Sequence, residues 1–95
     1  MPGAVRLNDT CSGHDDFGSR PNNQASTDVF VNGRGAHRQG DSWAVHCNPV
    51  PSCHGGNAAN GSPNVFVNGK PMCRIGDSVN CGSTMVNGSS NVFVN

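Results

Sequence analysis

The chain has 95 residues, no formal net charge and 34% apolar residues, which predicts one small domain with a thin hydrophobic core. Its six basic residues are spread along the chain, which argues against a nucleic-acid-binding surface because such a surface needs clustered positive charge. No apolar run approaches the ~18 residues that span a bilayer, so no transmembrane segment is expected, and the N-terminus has no signal-peptide core.

Two short signatures alternate along the chain, one of the form Arg-x-x-Asp and one of the form Val-Phe-Val-Asn. They lie at Arg6–Asp9, Val29–Gly33, Arg38–Asp41, Val65–Gly69, Arg74–Asp77 and Val92–Asn95. Each signature recurs after 27 to 36 residues, and such a recurrence indicates internal repeats. The sequence therefore predicts a single domain, 1–95, made of three repeats at about 2–33, 34–69 and 70–95, with no extension domain.

Each Val-Phe-Val predicts a short β-strand with its valines on one face and its phenylalanine on the other. Asn-Gly follows at Asn32-Gly33 and Asn68-Gly69, and this pair is the strongest short hairpin signal because both residues tolerate a positive φ. Glycine and proline interrupt the chain about every ten residues, so no helix beyond one turn is expected. The predicted fold is all-β, with three repeats of short β-hairpins.

The Arg-x-x-Asp signature places opposite charges three residues apart. We interpret it as a local ion pair that fixes a turn, with a structural and not a catalytic role. A solvated pair of this kind contributes only ~0–1 kcal/mol.

The loops between the signatures hold histidine and cysteine at matching positions. His14 and His46 each follow the arginine of their repeat by eight residues, and Cys81 follows Arg74 by seven. If the repeats fold about a common axis, these side chains converge on it, and the long second loop supplies His54 as a fourth. The predicted ligands are therefore His14, His46, His54 and Cys81, a three-nitrogen, one-sulfur set that suits zinc. Such a site can add on the order of 10 kcal/mol to folding.

Other histidines and cysteines leave alternatives open. Cys47 and Cys53 could bind a metal together with His54, without the other repeats. His37 and Cys73 directly precede the arginines of their repeats and are interpreted as strand side chains, not ligands. The odd number of cysteines, five, and the missing signal peptide favour reduced thiols over a disulfide scaffold.

The residues that lead into the three arginines resemble a known motif. Gly3–Arg6, Gly35–Arg38 and Pro71–Arg74 are similar to the Pro-Ala-Ala-Arg motif of PAAR-repeat proteins, and the run Gly61–Pro71 is also typical of them. Copies one and two have glycine in place of proline. The resemblance covers essentially the whole chain.

The resemblance implies a pointed cone of β-hairpins with three pseudo-threefold repeats and a metal ion near the vertex. The family's three-histidine, one-cysteine ligand set corresponds to His14, His46, His54 and Cys81, with zinc expected and iron as the alternative. Such proteins tip the spikes of type VI secretion systems and contractile phage tails. The bare length is most similar to the form on T-even coliphage baseplates, so the expected location is the phage virion after synthesis in the host cytoplasm, and a bacterial secretion apparatus is the alternative.

The implied function is structural, namely to cap and sharpen a trimeric β-helical spike and to aid puncture of the target cell envelope. One chain, a monomer when free, would sit on each trimer, and its vertex would contact the envelope. The expected contacts are strands that extend the spike by backbone pairing. These base residues are Val29, Phe30, Val31, Val65, Phe66, Val67, Val92, Phe93 and Val94.

A small zinc hydrolase is the competing class of function. It needs an open coordination position and an acidic base. All six acidic residues are aspartates, and only Asp15 and Asp16 lie near the predicted ligands in sequence. Four protein ligands would leave no open position, so we do not expect an enzyme.

Overall fold

The computed structural model describes residues 1–95 and contains six short strands, which pair into three two-stranded antiparallel hairpins. The strands are β1 (Phe30–Val31), β2 (Arg34–Gly35), β3 (Ser42–Cys47), β4 (Cys53–Asn57), β5 (Phe66–Val67) and β6 (Lys70–Pro71). They pair in chain order, β1 with β2, β3 with β4 and β5 with β6. No helix is present, hence none that is long and apolar enough to cross a membrane. The predicted all-β fold is confirmed.

Asn-Gly turns close two of the hairpins. The φ angles are 53° and 76° at Asn32 and Gly33, between β1 and β2, and 54° and 77° at Asn68 and Gly69, between β5 and β6. A two-residue hairpin turn of this kind requires a positive φ at both positions, which asparagine and glycine adopt at little cost. The two hairpins predicted from these dipeptides are confirmed.

The third Val-Phe-Val segment finds its partner at the other end of the chain. Phe93 forms an antiparallel bridge with Gly3, and the N–H of Val94 donates to the carbonyl of Pro2 at 2.9 Å. The same register joins Phe30 to Gly35 in the first hairpin. The N- and C-terminal segments together therefore form a pairing equivalent to β1–β2 and β5–β6.

A ring of three backbone hydrogen bonds joins three distant segments of the chain in the interior. The N–H of Val5 donates to the carbonyl of Cys73, that of Cys73 to His37, and that of His37 to Val5, at 3.0–3.1 Å. All three residues are fully buried. Since each directly precedes the arginine of an Arg-x-x-Asp signature, the three signatures meet around this ring. His37 and Cys73 thus lie inside the fold, but they follow strands β2 and β6 and belong to neither, so their expected place in a strand is wrong.

Two small apolar clusters together form the thin core that the composition predicts. The hairpin core lies against the Val-Phe-Val segments and consists of Ala4, Val31, Ala36, Val67, Met72 and Val94. The loop core lies against the long loops and consists of Val5, Cys11, Trp43, Ala58, Cys73, Val79 and Met85. The molecule measures 39 × 23 × 23 Å, so it is elongated in one direction and equally wide in the other two.

The three Arg-x-x-Asp signatures form the same ion pair three times. Asp41 accepts from the backbone N–H of Arg38 and from its guanidinium, at 2.9–3.0 Å, and Asp9 and Asp77 make the same contacts with Arg6 and Arg74. The expected turn-fixing role is confirmed. The expected solvation is wrong, because the aspartate side chains are at most 5% exposed. A buried carboxylate needs its partner far more than an exposed one does.

Candidate metal centre

The β3–β4 hairpin positions two histidines side by side. His46 and His54 are direct cross-strand partners, next to the pair formed by Cys47 and Cys53. The register shifts between Trp43 and His46, so the strand is irregular just before the histidine. The Nε2 atoms of His46 and His54 lie 2.8 Å apart.

A tight turn in the first loop brings His14 to the same point. The N–H of His14 donates to the carbonyl of Phe17 at 3.0 Å, and the N–H of Phe17 donates back to His14 at 2.8 Å. Asp15, inside this turn, has a φ of 50°. The Nε2 atom of His14 lies 3.0 Å from that of His54.

The structure brings together all four side chains of the predicted ligand set. One ligand atom from each of His14, His46, His54 and Cys81 lies within 4.8 Å of all the others. On a tetrahedral metal with bonds of ~2.0–2.1 Å, two nitrogens lie about 3.3 Å apart. The observed nitrogen separations of 2.8 and 3.0 Å differ from that by about half an ångström or less. A small outward movement of the rings therefore accommodates a metal ion, and the cluster can hold one.

The hydrogen bonds around the imidazoles favour a cation at their centre. Nδ1 of His46 lies 2.8 Å from the carbonyl oxygen of Gly18, which can only accept, so Nδ1 carries the proton and Nε2 of the neutral ring has a free lone pair. His54 Nε2 faces both other Nε2 atoms but carries at most one proton. It cannot donate a full hydrogen bond to each of them. A metal ion between the three nitrogens satisfies all the lone pairs at once.

Cys81 is held as an acidic thiol at the edge of the imidazole cluster. Burial raises the pKa of Cys81, but hydrogen bonds with Ser83, Arg20 and His54 lower the pKa by more than burial raises it. The resulting pKa is about 5. Nη2 of Arg20 donates to Cys81 Sγ at 3.3 Å. Because the thiolate is the form that binds metals, the sulfur is prepared for coordination before the metal arrives.

The Phe17 ring packs against all three imidazoles. Its centroid lies 5.0 Å from those of His14 and His46 and 4.3 Å from that of His54. An apolar ring in this position limits the access of water to the cluster. Sequence reasoning missed both Phe17 and Arg20, although an aromatic residue three positions after His14 was a weak signal for the first.

Cys47 and Cys53 form a disulfide, which corrects two expectations. The bond joins neighbouring positions of β3 and β4, whose Cα atoms are 4.1 Å apart. The preference for reduced thiols is therefore wrong for this pair, because the β3–β4 hairpin places the two sulfurs within bonding distance. The alternative ligand set of Cys47, Cys53 and His54 does not occur in the structure either, since both sulfurs are used in the bond. Cys11, Cys73 and Cys81 are free.

The nine predicted base residues fall into two groups. Phe30, Phe66 and Phe93 are 60%, 56% and 51% exposed, so all three point outwards. The valine that follows each phenylalanine is buried in the hairpin core, and these valines are Val31, Val67 and Val94. The preceding valines, Val29, Val65 and Val92, are partly exposed. Each phenylalanine and the valine after it face opposite ways, as predicted, but the first valine is not buried with the second.

The two aspartates next to His14 face outwards. The side chain of Asp15 is 87% exposed, with its Oδ2 3.5 Å from Nδ1 of His14, the nitrogen that points away from the other imidazoles. Asp16 accepts a hydrogen bond from Asn48 at 3.3 Å. Neither carboxylate therefore faces the centre of the ligand set.

Comparison with known proteins identifies the family. The profile of the PAAR motif matches residues 20–87. The chain is 36% identical over 76 residues to the NAD(P)(+) glycohydrolase toxin Tse6 of Pseudomonas aeruginosa, a match that covers 75% of this chain and 18% of the toxin. It is also 36% identical over 76 residues to the (p)ppApp synthetase toxin Tas1 of Pseudomonas aeruginosa, with 75% and 17% covered.

A third relative is the double-stranded DNA deaminase toxin A of Burkholderia cenocepacia, 38% identical over 71 residues, with 72% of this chain and 5% of the toxin covered. The chain thus spans less than a fifth of the length of the curated relatives that it matches. Its own match to the family profile extends over more than half of its residues. The chain belongs to the family of proteins that carry the PAAR motif.

Proposed function

We propose that the protein is a structural, metal-stabilised tip that caps the trimeric β-helical spike of a type VI secretion system. The observation that carries the proposal is the convergence of His14, His46, His54 and Cys81, from the β3–β4 hairpin and two loops, within 4.8 Å. A metal ion at this point cross-links the three repeats where the hydrophobic core is too thin to hold long loops. The result is a rigid end on a small molecule.

The metal proposed for this site is zinc, with iron as the alternative. Three imidazole nitrogens and one thiolate in a closed four-ligand arrangement are typical of structural zinc sites. Four protein ligands leave no open position for a substrate or an activated water, so we propose a structural and not a catalytic metal. Metal analysis of protein purified without added metals distinguishes zinc from iron.

The relatives favour a secretion system over a contractile phage tail. All three are bacterial toxins by name, and each contains a segment similar to this chain. A secretion apparatus is the kind of machine that delivers a toxin to another cell, whereas a phage tail has no such need. In either machine the mechanical role of the tip is the same, and its vertex is the part proposed to meet the target envelope first.

The spike is proposed to contact the three exposed phenylalanines. Phe30, Phe66 and Phe93 lie at equivalent positions of three similar pairings, so a single chain offers the same contact three times. Three equivalent contacts match the three subunits of a trimer, which gives a stoichiometry of one chain per trimer. The free chain is proposed to be a monomer. Strand edges next to the phenylalanines are suited to extend the spike by backbone pairing.

The test is capture of the chain by a purified trimeric spike protein encoded beside it, with native mass spectrometry as the readout. We expect one chain and one metal ion per trimer. The triple variant F30D/F66D/F93D should lose the complex, because it places three charges in an apolar contact, while V50D, at a residue that is 78% exposed in the β3–β4 loop, should keep it. If the wild-type chain does not bind this spike but binds a phage tail spike, the protein would be assigned to a contractile phage tail. Binding to neither would overturn the proposal.

A further inference from the structure

Arg20 is a buried arginine without a carboxylate partner. It is 5% exposed. The arginines Arg6, Arg34, Arg38 and Arg74 each have an aspartate within ion-pair distance, but Arg20 has none. A buried guanidinium needs compensation from other groups, because removal of a charge from water is unfavourable. The groups that accept hydrogen bonds from Arg20 therefore indicate the role of its buried charge.

The donors of Arg20 point at two sulfur atoms and one carbonyl. Nη1 donates to Cys11 Sγ at 3.1 Å, and Nη2 donates to Cys81 Sγ at 3.3 Å. Nε donates to the carbonyl of Ala44 at 2.8 Å. The guanidinium also lies over the ring of Trp43, with its Cζ 5.5 Å from the ring centroid. One side chain thus links strand β3 to Cys11 and Cys81, which lie far apart in the sequence.

The neighbouring strand leaves room for this arrangement. A Cβ atom at Gly56, in β4, would lie 2.9 Å from Nη2 of Arg20 and 2.8 Å from a methyl group of Val79. Only glycine at this position lets Nη2 reach Cys81 Sγ without displacement. Ser83 adds a weaker contact, 3.5 Å from Nη1. The guanidinium is therefore enclosed. Its planar fork of donors can bond both sulfurs and the carbonyl at once, which the point charge of a lysine ammonium cannot do in the same geometry.

We propose that Arg20 is a positioning residue for the metal centre, which holds the sulfur of Cys81 in place for coordination and uses Cys11 as its second anchor. The inference rests on the proposed metal site. Hydrogen bonds to a ligand atom from the outer shell orient that atom and tune its metal, and their loss typically weakens metal binding ~10–100-fold. A purely structural arginine would change the stability of the fold but not the way in which a bound metal contacts sulfur.

The experiment uses cobalt(II) as a spectroscopic replacement for the structural metal in the purified full chain. Sulfur-to-cobalt charge transfer absorbs in the near ultraviolet, so its intensity per bound cobalt reports sulfur coordination. We expect R20M to bind cobalt ~10–100-fold more weakly than the wild type and to lose part of this intensity per cobalt bound. R20K, which keeps the charge and loses the fork, should lie between the two. G56A should displace Nη2 and shift the spectrum in the same direction with Arg20 intact.

A matched control is R34M, because Arg34 also bonds a backbone carbonyl, that of Leu7, but lies outside the cluster. It should lower the melting temperature and leave the cobalt spectrum unchanged. Full wild-type affinity and intensity in both R20M and G56A would overturn the inference and leave the metal site standing. If R20M does not fold, G56A and R20K decide by the same readout. A wild-type chain that takes up no cobalt would overturn the metal site and this inference together.

Discussion

His54 faces His46 across one cross-strand pair of the β3–β4 hairpin, with 2.8 Å between their Nε2 atoms. The hairpin therefore holds two imidazole nitrogens side by side. His14 and Cys81 each add one proposed ligand from another part of the chain. His54 is the member that has no counterpart in the other two predicted repeats. Its position in a strand explains how a threefold pattern of loops can offer four ligands.

Loss of His54 tests the fourth ligand. H54A removes one of the four proposed metal ligands, so the metal affinity should fall by more than the ~10–100-fold that loss of an outer-shell partner causes. Competition with a chromophoric chelator measures the change. V50A, in the loop of the same hairpin, should keep the wild-type affinity. An H54A protein with unchanged affinity would remove His54 from the ligand set.

The acidic thiol of Cys81 predicts selective alkylation of the metal-free protein. Its pKa of about 5 means that Cys81 is a thiolate at pH 7, whereas burial raises the pKa of Cys73 and keeps that thiol neutral. Iodoacetamide should therefore label Cys81 first, and bound metal should protect it. Peptide mapping by mass spectrometry gives the order of labelling. Preferential labelling of Cys73 would contradict this picture.

The same thiol predicts how the stability of the metal-free chain depends on pH. The unfolded thiol takes up its proton below its ordinary pKa of 9.0, but the folded one does so only near pH 5. The unfolded state thus binds more protons between these values, so the free energy of unfolding contributed by Cys81 rises from pH 5 to pH 9 and is lost below pH 5. Urea unfolding at several pH values should show a shallower rise in C81S. Parallel curves for the two proteins would count against the lowered pKa.

The disulfide and the metal should partly replace each other. A bond between Cys47 and Cys53 closes a loop of six residues' separation, worth about 2 kcal/mol in the chain-entropy account. Metal held by His46 and His54 cross-links the same two strands one position away. The loss of stability in the double variant C47S/C53S should therefore be smaller for the metal-loaded protein than for the metal-free one. Equal losses in denaturant titrations of the two forms would show that the cross-links act independently.

Loss of a buried aspartate tests the Arg-x-x-Asp turns. D41A leaves Arg38 without its partner in a site where the carboxylate is fully buried, so we expect a loss of about 3–5 kcal/mol in the free energy of unfolding. D28A, at an exposed aspartate that bonds Ser26 and Asn68, should have a much smaller effect. Guanidinium chloride titrations would measure both losses, provided that the slope of the unfolding free energy against denaturant concentration does not change. If D41A lost no more unfolding free energy than D28A, the Arg38–Asp41 pair would stabilise the fold no more than an exposed ion pair does.

The hairpins and the four clustered side chains could be predicted from the sequence, because both follow local patterns that recur along the chain. Asn32-Gly33 specifies its own turn, and the offset of His14 and His46 from their arginines can be counted. The bond between Cys47 and Cys53 could not be predicted, because their contact depends on a six-residue strand that has no periodic signal. The burial of Arg20 could not be predicted either, since its contacts come from three distant segments that only the folded chain brings together.

The pairing of Phe93 with Gly3 means that the polypeptide almost closes on itself. Asn95 stands where Asn32 stands in the first hairpin, and Met1 stands where Gly33 does. A peptide bond from Asn95 to Met1, in a chain with Met1→Gly, would therefore complete a third Asn-Gly turn and give a circular protein. Such a circle has no first repeat, and it could be opened at either of the other two turns. Each circular permutant would keep the same surface while its ends emerge beside a different loop.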